Sequence, residues 1–296
     1  MNKTYTLILI TLFYIIAFWI GVMAILVLKE SVGMLANMFI GTTISTFIIY
    51  LINIFLKNAS IYDPYWSVQP IFLIFTYYFV YKDSINFSML HLVILIPLIF
   101  WAVRLTTNWG FEFTGLDYED WRYRQIKASV KNKGIRELAV FVGFMYIPTI
   151  VVYFTVVPLF NSFIFKGSNQ LLFYIMGAII TTLGVVLEML ADNQMANFRQ
   201  KKLGTNIDEG LWKYSRHPNY LGELLVWTGL FIAAFNNFKW INIVGIILVY
   251  ALFIFISIPL AEKRYLQKYP GYLEYKKRTS MLMLLPKKQF ENKKNA

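Results

Sequence analysis

Trp212-Lys213-Tyr214-Ser215-Arg216-His217-Pro218-Asn219-Tyr220-Leu221-Gly222-Glu223 joins two apolar runs, about 171–195 and 219–237, each long enough to cross a membrane. The stretch holds two cations, two phenols, a carboxamide and a carboxylate. Polar groups at a membrane boundary are costly unless something polar sits there, so it reads as a site rather than a connector. Reading its flanks as spans decides the fold: an all-α, polytopic transmembrane bundle.

The rest of the chain agrees. Hydrophobic residues make up 58% and charged residues 15%, against about a quarter charged in soluble domains, and the mean hydropathy is +0.54. Apolar runs at about 5–28, 35–56, 66–81, 87–108, 137–162, 171–195, 219–237 and 240–261 predict 7 or 8 spans, the third being short. The first run has no small-residue cleavage site after it and reads as a retained helix, not a signal peptide. With no cysteine, disulfides and thiolate metal ligands are excluded, and no metal site is expected. No repeat or long linker divides residues 1–296, so a single membrane domain is expected. Within it, 1–60 form N-terminal helices, 61–286 the core and 287–296 a solvated tail.

The net charge of +12 need not mean nucleic acid. With eight spans and the N-terminus inside, all but four of the 28 lysines and arginines fall in cytoplasmic segments. The four are Lys29, Lys82, Lys166 and Lys239. That asymmetry is the positive-inside pattern, supplemented by attraction to anionic lipid. It puts both termini and every polar cluster on the cytoplasmic side, around one cavity open to the cytosol.

Those clusters carry the chemistry. Glu188, Asp192, Met195 and Arg199 recur at helical spacing and share a face. Against lipid that face would be expensive, so it points into the bundle. It reads either as an ion pair, Asp192 with Arg199 or with a neighbouring helix, or as a ligand contact. Arg199, Lys201 and Lys202 suit phosphate, and the amides and carboxylates suit hydroxyls. Ser215-Arg216-His217-Pro218 has the form of a helix start. Asn219, Glu223 and Trp227 then succeed one another at i, i+4. Asp117 to Arg124 mixes charges with aromatics and fits an interfacial helix or a cavity wall, and Asp63-Pro64-Tyr65-Trp66-Ser67 fits a turn and helix start. His91 reads as a packing residue. The tail from Glu262 reads as a surface helix with tyrosines inward. Rossmann and P-loop fingerprints are absent, so a nucleotide would need a different cradle.

At these residues the sequence resembles the membrane steroid 5-alpha-reductase family, most closely its bacterial branch, the DUF1295 proteins. The resemblance runs from the Asp63–Ser67 turn to the tail. It implies an oxidoreductase of the inner membrane that takes a hydride from NADPH to the double bond of a lipophilic enone, working as a monomer without nucleic acid. It places Asp192, Arg199, Asn219, Tyr220 and Glu223 on the cofactor, with Arg216 and His217 beside them. It leaves Asp63, Tyr65 and Tyr123 as candidate proton donors to a substrate carbonyl, with Glu223 orienting the nicotinamide. Glu188 stands where the steroid reductases carry asparagine. Arg216-His217-Pro218-x-Tyr220 with Glu262, Tyr272, Glu274 and Tyr275 also looks like the membrane methyltransferases that use S-adenosylmethionine. A non-enzymatic membrane protein is the third reading.

Overall fold

The computed structural model describes residues 2–85, 88–164, 170–201 and 204–287. Its helices are α1 (Lys3–Leu28), α2 (Met34–Leu56), α3 (Tyr65–Val80), α4 (Leu92–Glu112), α5 (Trp121–Ser129), α6 (Lys133–Ile164), α7 (Gln170–Gln200), α8 (Pro218–Ala233), α9 (Trp240–Lys268) and α10 (Tyr272–Arg278). Among the described residues there is no strand, only one isolated bridge between Ser215 and Ser280. Among the described residues six helices are long and apolar enough to cross a membrane: α1, α2, α4, α6, α7 and α9.

Eight apolar runs are thus realised as six full-length helices and two short ones. α3 and α8 have 16 residues each, about 24 Å at 1.5 Å per residue, less than the roughly 30 Å of a bilayer core. Both nonetheless run the depth of the bundle. At one end of α3, Tyr81 receives a hydrogen bond from Asn37 Nδ2 (2.7 Å) and lies under Lys29. At the other, Asp63 meets α5 through Arg122 and Tyr123. α8 starts against Asp192 near the C-terminus of α7 and ends with Ala233 against Gly177 near its N-terminus. α8 has no exposed residue and is enclosed by longer helices, whereas α3 leaves Phe75 (49%) and Phe79 (67%) exposed.

The α7–α8 contact sets the site. In lipid no hydrophobic force drives helices together, so close approach depends on small residues. Gly177 and Gly184 of α7 face Gly229 and Gly222 of α8, and a Cβ on Gly184 would lie 2.6 Å from the Gly222 carbonyl oxygen. This contact brings Glu188 and Asp192 beside Asn219 and Glu223. Gly184→Leu is therefore expected to cost about 1–3 kcal/mol through overpacking, read as a lowered midpoint of thermal unfolding in detergent. Gly143→Ala, where an added Cβ meets nothing within 4 Å, should leave the midpoint unchanged.

Two further features shape the cavity end. The segment after α7 folds back onto it: Trp212 Nε1 donates to the Ala191 carbonyl (3.0 Å) and Leu211 N to Gln194 Oε1 (2.9 Å). Gly210 makes the turn at φ +58°, where a Cβ would strike Gln194. α6 and α9 each contain a π-helical segment, Phe141–Tyr146 and Leu252–Ser257. Such segments often lie at functional sites.

Candidate functional site

A cavity of about 600 Å³ opens at the end of the bundle where the polar clusters meet, within the size range of ligand pockets. It is lined by Asp63, Trp66, Asn108, Arg122, Tyr123, Glu188, Asp192, Arg199, His217, Asn219, Tyr220 and Glu223, among others. The clusters scattered through the sequence thus form one site. Lys29 and Lys239 belong to the far end, where Lys239 Nζ binds Asn161 Oδ1 (3.2 Å). Lys166 and Lys202 lie outside the described residues.

One wall comes from α4, α7 and α8. Arg104 pairs with Glu188 (2.6 Å) and Asp192 (3.1 Å), its side chain only 9% exposed. Asp192 therefore pairs with a neighbouring helix, not with Arg199. Its other oxygen receives Asn219 Nδ2 at 3.4 Å, and Asn219 Oδ1 is buried without a partner. Two turns further along α7, Arg199 lines the cavity, is exposed and makes no ion pair among the described residues. All four residues of the face read from sequence, Glu188, Asp192, Met195 and Arg199, line the cavity.

The floor is Glu223. Its Oε1 accepts from the indole N–H groups of Trp66 (2.6 Å) and Trp227 (3.0 Å), and its Oε2 from Trp101 (2.9 Å). Three indoles from α3, α4 and α8 thus converge on one carboxylate. Trp227 was legible as the i+4 neighbour of Glu223. Trp66 and Trp101 were not, because nothing local links them to it. Arg104 was missed as well, although a lone arginine near the end of an apolar run is itself the signal of an intramembrane partner.

The opposite wall is α5 with the Asp63 turn. Asp120 caps α5 by accepting from Arg122 N (3.0 Å), and Arg122 bridges Asp120 (2.7 Å) and Asp63 (3.2 Å). Tyr123 donates to Asp63 Oδ1 at 2.8 Å. Burial raises the Asp63 carboxyl to about 6, outweighing the opposing pull of Arg122 and Tyr123. Burial also lifts the Tyr123 phenol well above its usual range. Asp120, Trp121, Arg122 and Tyr123 of the 117–124 segment thus line the cavity.

Two expectations are corrected. Tyr65 does not line the cavity: it is fully buried, with its hydroxyl near Thr42 (3.3 Å) and Thr46 (3.2 Å) in a network that continues through Thr149. Helical rotation turns it away from its neighbour Trp66. Arg216 does not line it either, being consumed by Glu262 (2.7 Å) and the Lys276 and Thr279 carbonyls (both 2.7 Å). It fastens the tail, where Tyr272 and Tyr275 are buried, as expected of inward tyrosines. His217 lines the cavity, stacked on Tyr220 with ring centroids 5.2 Å apart. Burial lowers its basicity despite Glu262 at 3.3 Å. His91 packs between Phe163 and Tyr174, as a packing residue should. No group of three or more metal-ligating side chains occurs among the described residues.

Comparison with known proteins places this arrangement. The chain is 25% identical over 281 residues to an uncharacterized protein of Schizosaccharomyces pombe, an alignment spanning 82% of this chain and 76% of that protein. No solved structure matches it. Residues 49–279, from the end of α2 through α10, match the family described as Protein of unknown function (DUF1295). They include every residue of the cavity wall described above, and the chain belongs to that family.

Proposed function

We propose that this protein is an NADPH-dependent membrane reductase of a lipophilic, carbonyl-conjugated substrate, with its cavity facing the cytoplasm. The observation that carries the reading is Asn219 Oδ1, a buried acceptor left without a partner on the cavity wall. Such a group costs about 1–3 kcal/mol unless a ligand donates to it, and a carboxamide or ribose hydroxyl would. Arg199, exposed on the same wall and without an ion pair among the described residues, is a ready partner for phosphate. NADPH, when bound, supplies the hydride. Arg199 would hold a phosphate, Asn219 and Asp192 would fix the sugar or carboxamide, and the aromatic floor would exclude water. Tyr123, whose hydroxyl donates to Asp63 Oδ1, would give its proton to a developing enolate once Asp63 is protonated and donates to the phenol oxygen in its place. Of the residues shared with the methyltransferases, Arg216, Glu262 and Tyr275 bind one another and the backbone, while His217 and Tyr220 line the cavity.

Thermal shift of the detergent-purified protein with NADPH, NADH and S-adenosylmethionine tests the cofactor. NADPH is expected to stabilise most. Stabilisation by S-adenosylmethionine alone would replace the reading. Arg199→Ala should weaken NADPH by about tenfold, one charge-assisted contact being worth about 1.5–3 kcal/mol, with the unfolding midpoint unchanged without nucleotide. Fusion of alkaline phosphatase after Ala296 should be inactive if the tail is cytoplasmic.

The Asp63–Tyr123 pair predicts the pH dependence. A carboxyl raised to about 6 binds more protons in the folded than in the unfolded protein. Its ionisation therefore destabilises the fold as pH rises from its unfolded value through 6. If the protonated pair is the acid, turnover should fall over the same window, and Asp63→Asn should remove that limb. A pH profile identical in wild type and Asp63→Asn would reassign the proton donor.

A further inference from the structure

The cavity is not polar all round. At and beside the two π-helical segments its lining is Gly143, Phe144 and Pro148 from α6 and Leu252, Phe253, Ile256 and Ser257 from α9, Ser257 being the one polar side chain of the set. Both helices have the length and composition of membrane spans. Towards their far ends they pack backbone to backbone, for a Cβ on Gly245 would lie 2.2 Å from the Phe154 carbonyl oxygen. At the π segments the arrangement differs. Gly143 is an exposed glycine of the cavity lining with no atom within 4 Å of where its Cβ would be, as at Gly110, whereas Gly177, Gly184, Gly222, Gly229 and Gly245 all seat a neighbouring helix. The space beside it is an open notch. Ile256 lines the cavity yet is 52% exposed, and next to it on the same span Phe255 is 75% exposed and does not line the cavity. The apolar lining is thus continuous with the outer surface of two spans.

We infer that the gap between Phe141–Tyr146 and Leu252–Ser257 is a lateral portal, through which the hydrocarbon chain of a membrane lipid enters the cavity. In naming that lipid as the acceptor of reduction, the inference rests on the reductase reading. The chemistry required of the occupant is a conjugated carbonyl head on an apolar chain. The head reaches the polar walls at Asp63 and Asn219, and the chain lies along Phe144, Phe253 and Ile256 with its end in the bilayer. A rigid, water-soluble substrate would have no use for this wall.

A palmitic acid analogue carrying an alkyl diazirine in mid-chain, incorporated in phosphatidylcholine–phosphatidylglycerol nanodiscs, probes the portal without knowledge of the natural substrate. After irradiation, mass spectrometry should find adducts on both Phe253, which is buried in the cavity wall, and Phe255 outside. Ile256→Trp and Gly143→Leu, on opposite sides of the gap, should each abolish labelling of Phe253 and leave that of Phe255. The half-exposed site of one and the empty notch of the other should tolerate the larger side chains. The NADPH thermal shift, taken on the same samples, should persist in both variants. Absence of Phe253 adducts in the wild type, or their persistence in both plugged variants, would overturn the portal. Portal-dependent labelling without any nucleotide shift would uphold the portal and sink the reductase reading alone.

Discussion

Arg104→Ala is expected to cost about 3–5 kcal/mol, because it leaves the buried Glu188 carboxylate and the half-buried Asp192 carboxylate without their cation. For a protein whose total stability is of the order of 5–15 kcal/mol, the outcome should be a sharp fall in folded yield in detergent and loss of nucleotide binding in what remains. The reasoning has an internal check. Taking two ions out of water is expensive, so replacing the whole network by uncharged groups can be nearly neutral. Arg104→Met combined with Glu188→Gln and Asp192→Asn should therefore recover most of the unfolding midpoint while nucleotide binding stays lost. Equal instability of the single and triple variants would show that Arg104 acts through packing, not charge.

Glu223→Gln is the second large effect. The substitution keeps the size of the side chain but replaces one acceptor oxygen by an NH2 donor, aimed at indole N–H groups that are themselves only donors. At least one of the three indole hydrogen bonds is lost. A hydrogen bond to a charged group is worth about 1.5–3 kcal/mol, and the stranded donor adds a desolvation cost of similar size. From the sequence alone, this change would be expected to reduce turnover far more than protein yield. The three-tryptophan cage alters that expectation: folded yield and nucleotide binding should fall together. Trp66→Phe and Trp101→Phe, each removing one donor and leaving the carboxylate two, should cost less than Glu223→Gln. A Glu223→Gln protein with an unchanged unfolding midpoint and no nucleotide binding would instead identify Glu223 as a direct ligand contact.

Several elements of the site were legible because their signal is local. The α7 face is a matter of helical spacing, and Glu188, Asp192, Met195 and Arg199 all line the cavity. The same holds for Asn219 and Glu223 on α8, and for the convergence of Asp63, the 120–123 segment, α7 and α8 at one end. That convergence followed from the alternation of apolar runs and from the far end holding only four of the 28 lysines and arginines. Tyr65 and Arg216 went the other way for a shared reason. In a turn followed by a helix start, neighbouring side chains point in different directions, and a cation with a rich supply of nearby carbonyls satisfies itself locally. Spacing does not reveal which of Tyr65 and Trp66 faces the cavity, nor that Glu262 lies within 2.7 Å of Arg216.

By itself the sequence determined the class of the molecule, the position of its long helices and the set of polar residues that cannot face lipid, since each follows from the cost of placing charge or backbone in hydrocarbon. Tertiary structure alone decided how those residues are shared out. Arg104, Glu188 and Asp192 became one buried network, Trp66, Trp101 and Trp227 closed on Glu223, and Asn219 kept a free acceptor. The physical reason is the glycine-to-glycine contact of α7 with α8, together with the two short helices held between long ones. These set distances between residues up to 157 positions apart, and no periodicity along the chain encodes them.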